Sequence, residues 1–224
     1  MNFVAIIVAG GVGKRFNSEL PKQFIELNGI PIIIRTISIF EQNENINSII
    51  IAMNEDWISY FQEMLKLHNF KKIHSIVKGG EQRHNSVFNA LNTEIARNSD
   101  FILIHDAVRC FTTQNLLNDL IKNAIEFGAV IPGIKPKDTV KKIIQNNVIE
   151  TTVDRNSLLL VQTPQVFKKD IIFDSYQKIS NDILATDDSY IVEQAGYNVK
   201  VIEGEEQNIK ITTPLDLEFG KLFV

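Results

Sequence analysis

Short, continuously apolar, β-branched runs recur along this chain: Phe3 to Val8, Ile46 to Met53, Ile73 to Val77, Phe101 to Ile104 and Ala129 to Ile134. A strand with one wet face alternates polar and apolar residues. A run without alternation suits a strand covered on both faces, as in a parallel sheet sandwiched by helices. Helical patterns fill the intervals. Pro31 stands where a first turn begins, with Ile32, Ile33, Ile37 and Phe40 at helical spacing. Trp57 to His68 follows Asp56, a suitable N-cap, and Val87, Ala90 and Leu91 form an apolar stripe. Thr112 or Thr113 would cap the helix carrying Leu116, Leu117, Leu120, Ile121, Ala124 and Ile125, and Gly128 would end it. Strand then helix, repeated, is the βαβ signature of an open, Rossmann-like, doubly wound α/β sheet.

After Pro132 and Gly133 the pattern changes. Thr139 to Ile144, then Asn146-Asn147, then Val148 to Val153 reads as two strands joined by a tight turn, an arm spanning about residues 135–156. An isolated two-stranded hairpin is marginal in water, so the arm is expected to pack on something else, most naturally a second subunit. Farther on, Thr163-Pro164-Gln165 reads as an extended or turning element, Ile171 to Ile179 and Ser189 to Ala195 as helices, and Val199 to Ile202 as a strand. Pro214 opens a last helix that Thr213 caps. With 224 residues and no repeat or linker, one domain over 1–224 is expected.

Composition narrows the function classes. The 23 Lys and Arg against 27 Asp and Glu give a net charge of −4, which argues against a nucleic-acid binder. One cysteine, Cys110, excludes an internal disulfide framework and suits a reducing cytoplasm. No run of about 18 apolar residues is present to span a bilayer, and the N-terminus does not read as a signal peptide. The four histidines, His68, His74, His84 and His105, have no metal-ligand spacing and read as structural or surface residues. If the ligands are anionic, the few cations must be gathered in one place.

The first strand runs into Ala9-Gly10-Gly11-Val12-Gly13-Lys14-Arg15. Glycines let the backbone close on a ligand with successive N–H groups turned inward, which suits a polyphosphate, and Lys14 and Arg15 add charge. The segment is not a Walker A loop, because Arg15 stands where Ser or Thr is required, nor a dinucleotide fingerprint, because Phe16 stands where the third glycine belongs. Leu20-Pro21-Lys22-Gln23-Phe24 places a third cation near the same loop, where packing is a poor explanation because lysine is rarely a core residue.

Together these segments resemble the sugar-phosphate nucleotidyltransferases, and the resemblance continues along the chain. It holds at Gly79-Gly80-Glu81-Gln82-Arg83 with Asn85-Ser86, His105-Asp106-Ala107-Val108-Arg109, Asp138-Thr139 and Val153-Asp154-Arg155-Asn156 on either side of the arm, Thr163-Pro164-Gln165, Thr186-Asp187-Asp188, and Glu203-Gly204 with Asn208-Ile209-Lys210-Ile211-Thr212. The pattern is similar to that of the 2-C-methyl-D-erythritol 4-phosphate cytidylyltransferase family. Taken singly, several of these residues have plainer readings: Asp106 as a helix cap paired with Arg109, Arg155 as an exposed hairpin cation, Lys210 as a solvated strand residue, Thr186-Asp187-Asp188 as an ordinary helix start.

The resemblance implies transfer of CMP from CTP to a polyol phosphate with loss of pyrophosphate, on a nucleotide-diphospho-sugar transferase fold whose hairpin arm clasps a second subunit in a homodimer. It implies Arg15, Lys22, Arg155 and Lys210 as catalytic cations. Ala9, Gly10, Gly11, Gly13, Lys14, Gly79, Gly80, Arg83, Ser86, Asp106 and Ala107 would bind the nucleotide. Asp106, Arg109, Thr139, Arg155, Thr163, Thr186 and Lys210 would bind the second substrate. Mg2+ would bridge the phosphates, with Asp106 as the nearest carboxylate. Ribitol 5-phosphate cytidylyltransferases share most of these motifs, and Val153-Asp154-Arg155-Asn156 with Thr186-Asp187-Asp188 favours methylerythritol phosphate over ribitol phosphate. A non-catalytic nucleotide-binding domain would not need all of Arg15, Lys22, Arg155 and Lys210. Cys110 departs from the proline usual after that arginine, beside the expected pocket, and reads as a buried thiol.

Overall fold

The computed structural model describes residues 1–11, 20–179 and 185–224. In chain order, its strands are β1 (Phe3–Ala9), β2 (Glu26–Leu27), β3 (Ile30–Pro31), β4 (Ile46–Met53), β5 (Ile73–Lys78), β6 (Phe101–Asp106), β7 (Ala129–Ile134), β8 (Val140–Ile143), β9 (Ile149–Val153), β10 (Leu160–Val161), β11 (Gln165–Lys168) and β12 (Lys200–Glu203). The α-helices are α1 (Ile32–Gln42), α2 (Ile58–Leu65), α3 (Arg83–Leu91), α4 (Glu94–Arg97), α5 (Gln114–Phe127), α6 (Lys169–Lys178), α7 (Asp188–Gln194) and α8 (Pro214–Gly220).

The central sheet runs β10-β7-β11-β6-β1-β4-β5, with β12 also on β7. β1 pairs in parallel with β4 and β6, β4 with β5, and β12 with β7. The apolar runs are covered on both faces, as their lack of alternation requires. Ala5 and Ile7 of β1 pack with Ile33, Ile37 and Phe40 of α1 and Leu117 of α5, whereas Val4 and Ile6 pack with Val87 and Ala90 of α3, Ile172 of α6 and Ile191 of α7. Each fully buried isoleucine contributes about 1.5–3 kcal/mol, so the two filled faces of β1, β4 and β6 anchor the middle of the sheet.

The sheet is mixed. β11 runs antiparallel between β6 and β7, following the cis Thr163–Pro164 peptide. The segment read from sequence as an extended or turning element, Thr163-Pro164-Gln165, is a bend that leads into a sheet strand at Gln165. Other local readings are refined. Asn54, not Asp56, caps the turn ahead of α2, accepting from the Asp56 N–H, and α2 ends at Leu65. Thr113 is the cap of α5, leaving Thr112 to donate to Asn208. Gly128 ends α5 at φ 79°, a left-handed conformation that side chains rarely adopt. The arm forms as expected: β8 and β9 pair antiparallel, and Asn146 and Asn147 take φ 61° and 60°, the signature of a type I′ turn.

Candidate active site

Open α/β sheets bind ligands at the carboxyl ends of their strands, and the chemistry-bearing residues of this chain gather there. β1 ends at Ala9 and leads into Gly10 and Gly11. The buried Gln23 side chain donates to the Ala9 carbonyl at 2.8 Å, tying the turn that carries Lys22 to that end of β1. β5 leads into Gly79 and Gly80. A Cβ on Gly80 would lie 2.2 Å from Asn85 Cβ, so only glycine allows this close approach to α3. Ser86 of α3 accepts from the Gly80 N–H at 3.0 Å and sits under Gly10 and Gly79, where a Cβ would come within 3.2 and 3.1 Å of its hydroxyl. The two glycine turns thus close on one serine. They line a cavity of about 230 Å³ with Lys22, Arg83, Asp106, Ala107 and Lys210.

A second cavity, of about 400 Å³, opens on the other side of the Asp106 carboxylate and is lined by Arg109, Thr163, Gln165, Thr186, Asp187 and Tyr190 among others. Arg83, Asp106 and Lys210 belong to both cavities. Asp106 stands at the end of β6. Its Oδ1 accepts from Arg83 Nε at 3.0 Å, its Oδ2 from Lys210 Nζ at 2.7 Å, and Arg109 Nε lies 3.9 Å away. Burial works against this carboxylate, but Arg83, then Lys210 and Arg109, outweigh it and hold its pKa well below the usual carboxylate range. Asp106 is ionised at any physiological pH.

Arg83 is itself fixed from behind. Its Nη1 donates at 2.6 Å to Asp188, a fully buried carboxylate that also accepts from Tyr176 at 2.7 Å. Burial opposes the Arg83 charge, and Asp188 with Asp106 more than offsets it, so its pKa lies above the ordinary arginine value. Arg83 Nη2 and Arg109 Nε are buried donors without a hydrogen-bond partner among the described residues. Spare guanidinium donors beside a cavity suit an anion.

His105 is fully buried, and burial pushes its pKa down to about 4, with the Arg109 carbonyl and Asp106 opposing. Cys110 packs with Leu27, Val108, Phe111 and Ile211, and burial pushes its thiol up to about 12. It is the inert, buried thiol expected from the sequence, in the apolar cluster behind the Asp106–Arg109 turn.

A family model for 2-C-methyl-D-erythritol 4-phosphate cytidylyltransferase matches residues 3–224. The chain belongs to this family. It is 44% identical to the 2-C-methyl-D-erythritol 4-phosphate cytidylyltransferase of Clostridium perfringens over 99% of this chain and 98% of that protein, and 40% identical to the Geobacillus kaustophilus enzyme of the same name over 99% and 96%. Its fold is similar to the crystal structure of 4-diphosphocytidyl-2C-methyl-D-erythritol synthase from Anaerococcus prevotii, with a TM-score of 0.86, 31% identity and coverage of 99% and 95%. It is also similar to the Francisella tularensis cytidylyltransferase structure, with a TM-score of 0.85, 31% identity and full coverage of both chains.

Of the cytidylyltransferase residues expected from sequence, Ala9, Gly10, Gly11, Lys22, Gly79, Gly80, Arg83, Ser86, Asp106, Ala107, Arg109, Thr163, Thr186 and Lys210 meet around these two cavities or in the turns that shape them. Gly13, Lys14 and Arg15 lie outside the described residues. Thr139 and Arg155 are not brought to Asp106. Both are exposed at the base of the arm, where Arg155 donates to the Lys137 carbonyl and lines a separate cavity of about 890 Å³ between the arm and the β7–β12 edge. Sequence reasoning missed the partnership of Asp188 with Arg83, because a Thr-Asp-Asp helix start looks ordinary and its partner stands 105 residues away. His105, Gln165 and Asn208, named from sequence only as members of motifs, are buried polar residues that hold the site loops together, which bears out the structural reading of His105.

Proposed function

We propose that this protein transfers a cytidylyl group from CTP to 2-C-methyl-D-erythritol 4-phosphate, releasing pyrophosphate and giving 4-diphosphocytidyl-2-C-methyl-D-erythritol. The observation that carries the reading, within this family, is the pair of cavities sharing Arg83, Asp106 and Lys210. One is walled by glycine turns suited to a nucleotide, the other by arginine, threonine and acid side chains suited to a phosphorylated polyol. A phosphate oxygen is already anionic at neutral pH, so attack on the α-phosphorus needs no general base. The obstacle is the approach of two anions, and fixed cations remove it.

Lys22, together with Arg15, Lys14 and the Gly10 to Gly13 amides, holds the triphosphate and the charge that grows in the transition state. Lys210, Arg109, Thr163 and Thr186 hold the incoming phosphate, with Thr139 and Arg155 supplied by the arm of a second subunit. Asp106 sets the position of Lys210 and of Arg83. Among the described residues no three His, Cys, Asp or Glu side chains cluster as a metal cage. A hard divalent cation at phosphates keeps several waters and needs few protein ligands. Asp106 is the nearest carboxylate, but Arg83 and Lys210 already hold both its oxygens, so Mg2+ would be carried by the substrate phosphates and their waters. When bound, Mg2+ supplies neutralisation of phosphate charge. Among the described residues no helix is long and apolar enough to cross a membrane, and a single buried thiol suits the cytoplasm.

The test is pyrophosphate release with CTP, Mg2+ and either methylerythritol phosphate or ribitol 5-phosphate. A kcat/KM at least about tenfold higher for methylerythritol phosphate is expected, a difference of roughly 1.4 kcal/mol in transition-state binding. Preference for the ribitol compound, or no turnover with either, would overturn the assignment.

A further inference from the structure

His105 sits at the penultimate position of β6 with no solvent exposure, its ring 4.9 Å from that of Phe40. It is one member of a closed ring of hydrogen bonds beneath the second cavity. One imidazole nitrogen, Nε2, lies 3.0 Å from the Arg109 carbonyl. Arg109 Nη1 donates to the Asn208 carbonyl at 2.7 Å, Asn208 Nδ2 donates to the Thr163 carbonyl at 2.9 Å, and Thr163 Oγ1 lies 3.1 Å from His105 Nδ1. The Asp106 N–H donates into the same Thr163 hydroxyl at 3.1 Å.

The hydrogens can be placed by elimination. A carbonyl only accepts, so Nε2 must carry a hydrogen to meet Arg109. A fully buried imidazolium would need a carboxylate of its own, and Asp106 is already engaged by Arg83 and Lys210. The ring is therefore neutral and Nδ1 is bare. The Thr163 hydroxyl, accepting from Asp106 N–H, must then donate its one hydrogen to Nδ1. Only this tautomer satisfies every member.

The structure assigns His105 as a positioning residue: locked as the neutral Nε2–H tautomer, it joins Thr163 to the Arg109 turn and so fixes the polyol-phosphate side of the site, while touching neither substrate. Asparagine and glutamine are poor replacements, since an Asn amide can stand in for Nδ1 and a Gln amide for Nε2 but neither places polar atoms at both ring positions.

The kinetic part of the test rests on the function proposed above; the spectroscopic part does not. In 15N-histidine spectra of the full chain at neutral pH, with signals assigned through single substitutions of His68, His74 and His84, His105 is expected to show a protonated Nε2 and an unprotonated Nδ1. The reverse tautomer or a doubly protonated ring would overturn the assignment. In steady-state assays His105→Gln is expected to raise KM for methylerythritol phosphate about tenfold while leaving KM for CTP within about twofold, the scale of one lost buried hydrogen bond acting through oriented groups. A parallel rise for both substrates, or no rise, would overturn the positioning role. If that variant does not fold, Asn208→Asp breaks the same ring at Thr163 and is expected to give the same split. Wild-type protein inactive on both sugar phosphates would sink the proposed function and leave the spectra to decide the tautomer.

Discussion

Arg83 is held between two carboxylates, and the two have different duties. Asp106 faces both cavities, whereas Asp188, the first residue of α7, lies fully buried beneath the site, its carboxylate touching Arg83 and Tyr176 and its N–H donating to Gln165 Oε1. Removing one member of a buried ion pair leaves the other charge uncompensated, which typically costs about 3–5 kcal/mol. Asp106 still compensates Arg83, so Asp188→Ala is expected to destabilise the protein by about 3 kcal/mol, at the low end of that range. Urea unfolding of the two proteins checks it, and a loss below about 1 kcal/mol would show that the pair is dispensable. At this scale the sequence was informative where chemistry is announced by neighbours: Asp106 at the end of an apolar strand, Lys22 after a proline, Lys210 in a terminal motif. It was uninformative where a residue's role is defined by a partner far along the chain. Asp188 meets Arg83 across 105 positions and His105 meets Thr163 across 58, and no local pattern encodes either contact.

At the scale of elements, the site loops are stitched by caps and buried amides. Thr113 caps α5 by accepting from the Leu116 N–H, while its hydroxyl donates to Glu205 and its N–H also donates to Glu205. Gln162 donates to the carbonyl of Glu205, and a Cβ on Gly204 would come within 2.5 Å of the Gln162 Oε1, so the segment leading to Lys210 lies tight against the end of β10. Thr113→Ala removes the cap and the Glu205 hydroxyl contact together. A capping residue replaced by alanine costs about 0.5–2 kcal/mol, so a loss near the top of that range is expected, read as a lowered thermal midpoint. A change under about 0.5 kcal/mol would mean that Glu205 is held elsewhere.

The strands with strong apolar runs and the helices with capped, periodic faces were legible because burial on both faces imposes composition directly. β11 was not, since Gln165–Lys168 is four residues long with a polar residue at each end and earns its place in the sheet only through β6 and β7. The β2–β3 hairpin was missed despite a readable signal, the Asn28-Gly29 pair, which takes φ 48° and 74° at the turn.

At the scale of the whole molecule, the arm raises the question of which site Arg155 serves. Within one chain it lies apart from Asp106, in the cavity at the arm's base, and Thr139 is exposed beside it. The arm also carries Ile143, Ile144, Val148 and Ile149 more than half exposed on a two-stranded ribbon that has little stability alone. Both observations are accounted for if the arm embraces a second copy and delivers Arg155 to the partner's Lys210. Complementation separates that arrangement from a self-contained site. Lys210→Ala and Arg155→Ala chains are each expected to be nearly inactive as homodimers. In a heterodimer of the two, one site lacks both cations and the other has an intact Lys210 facing an intact Arg155. Random pairing of equal amounts makes half the dimers mixed, so co-expression should restore about a quarter of the wild-type sites. If instead each chain used its own Arg155, every site in every mixed dimer would lack one cation, and co-expression would restore nothing.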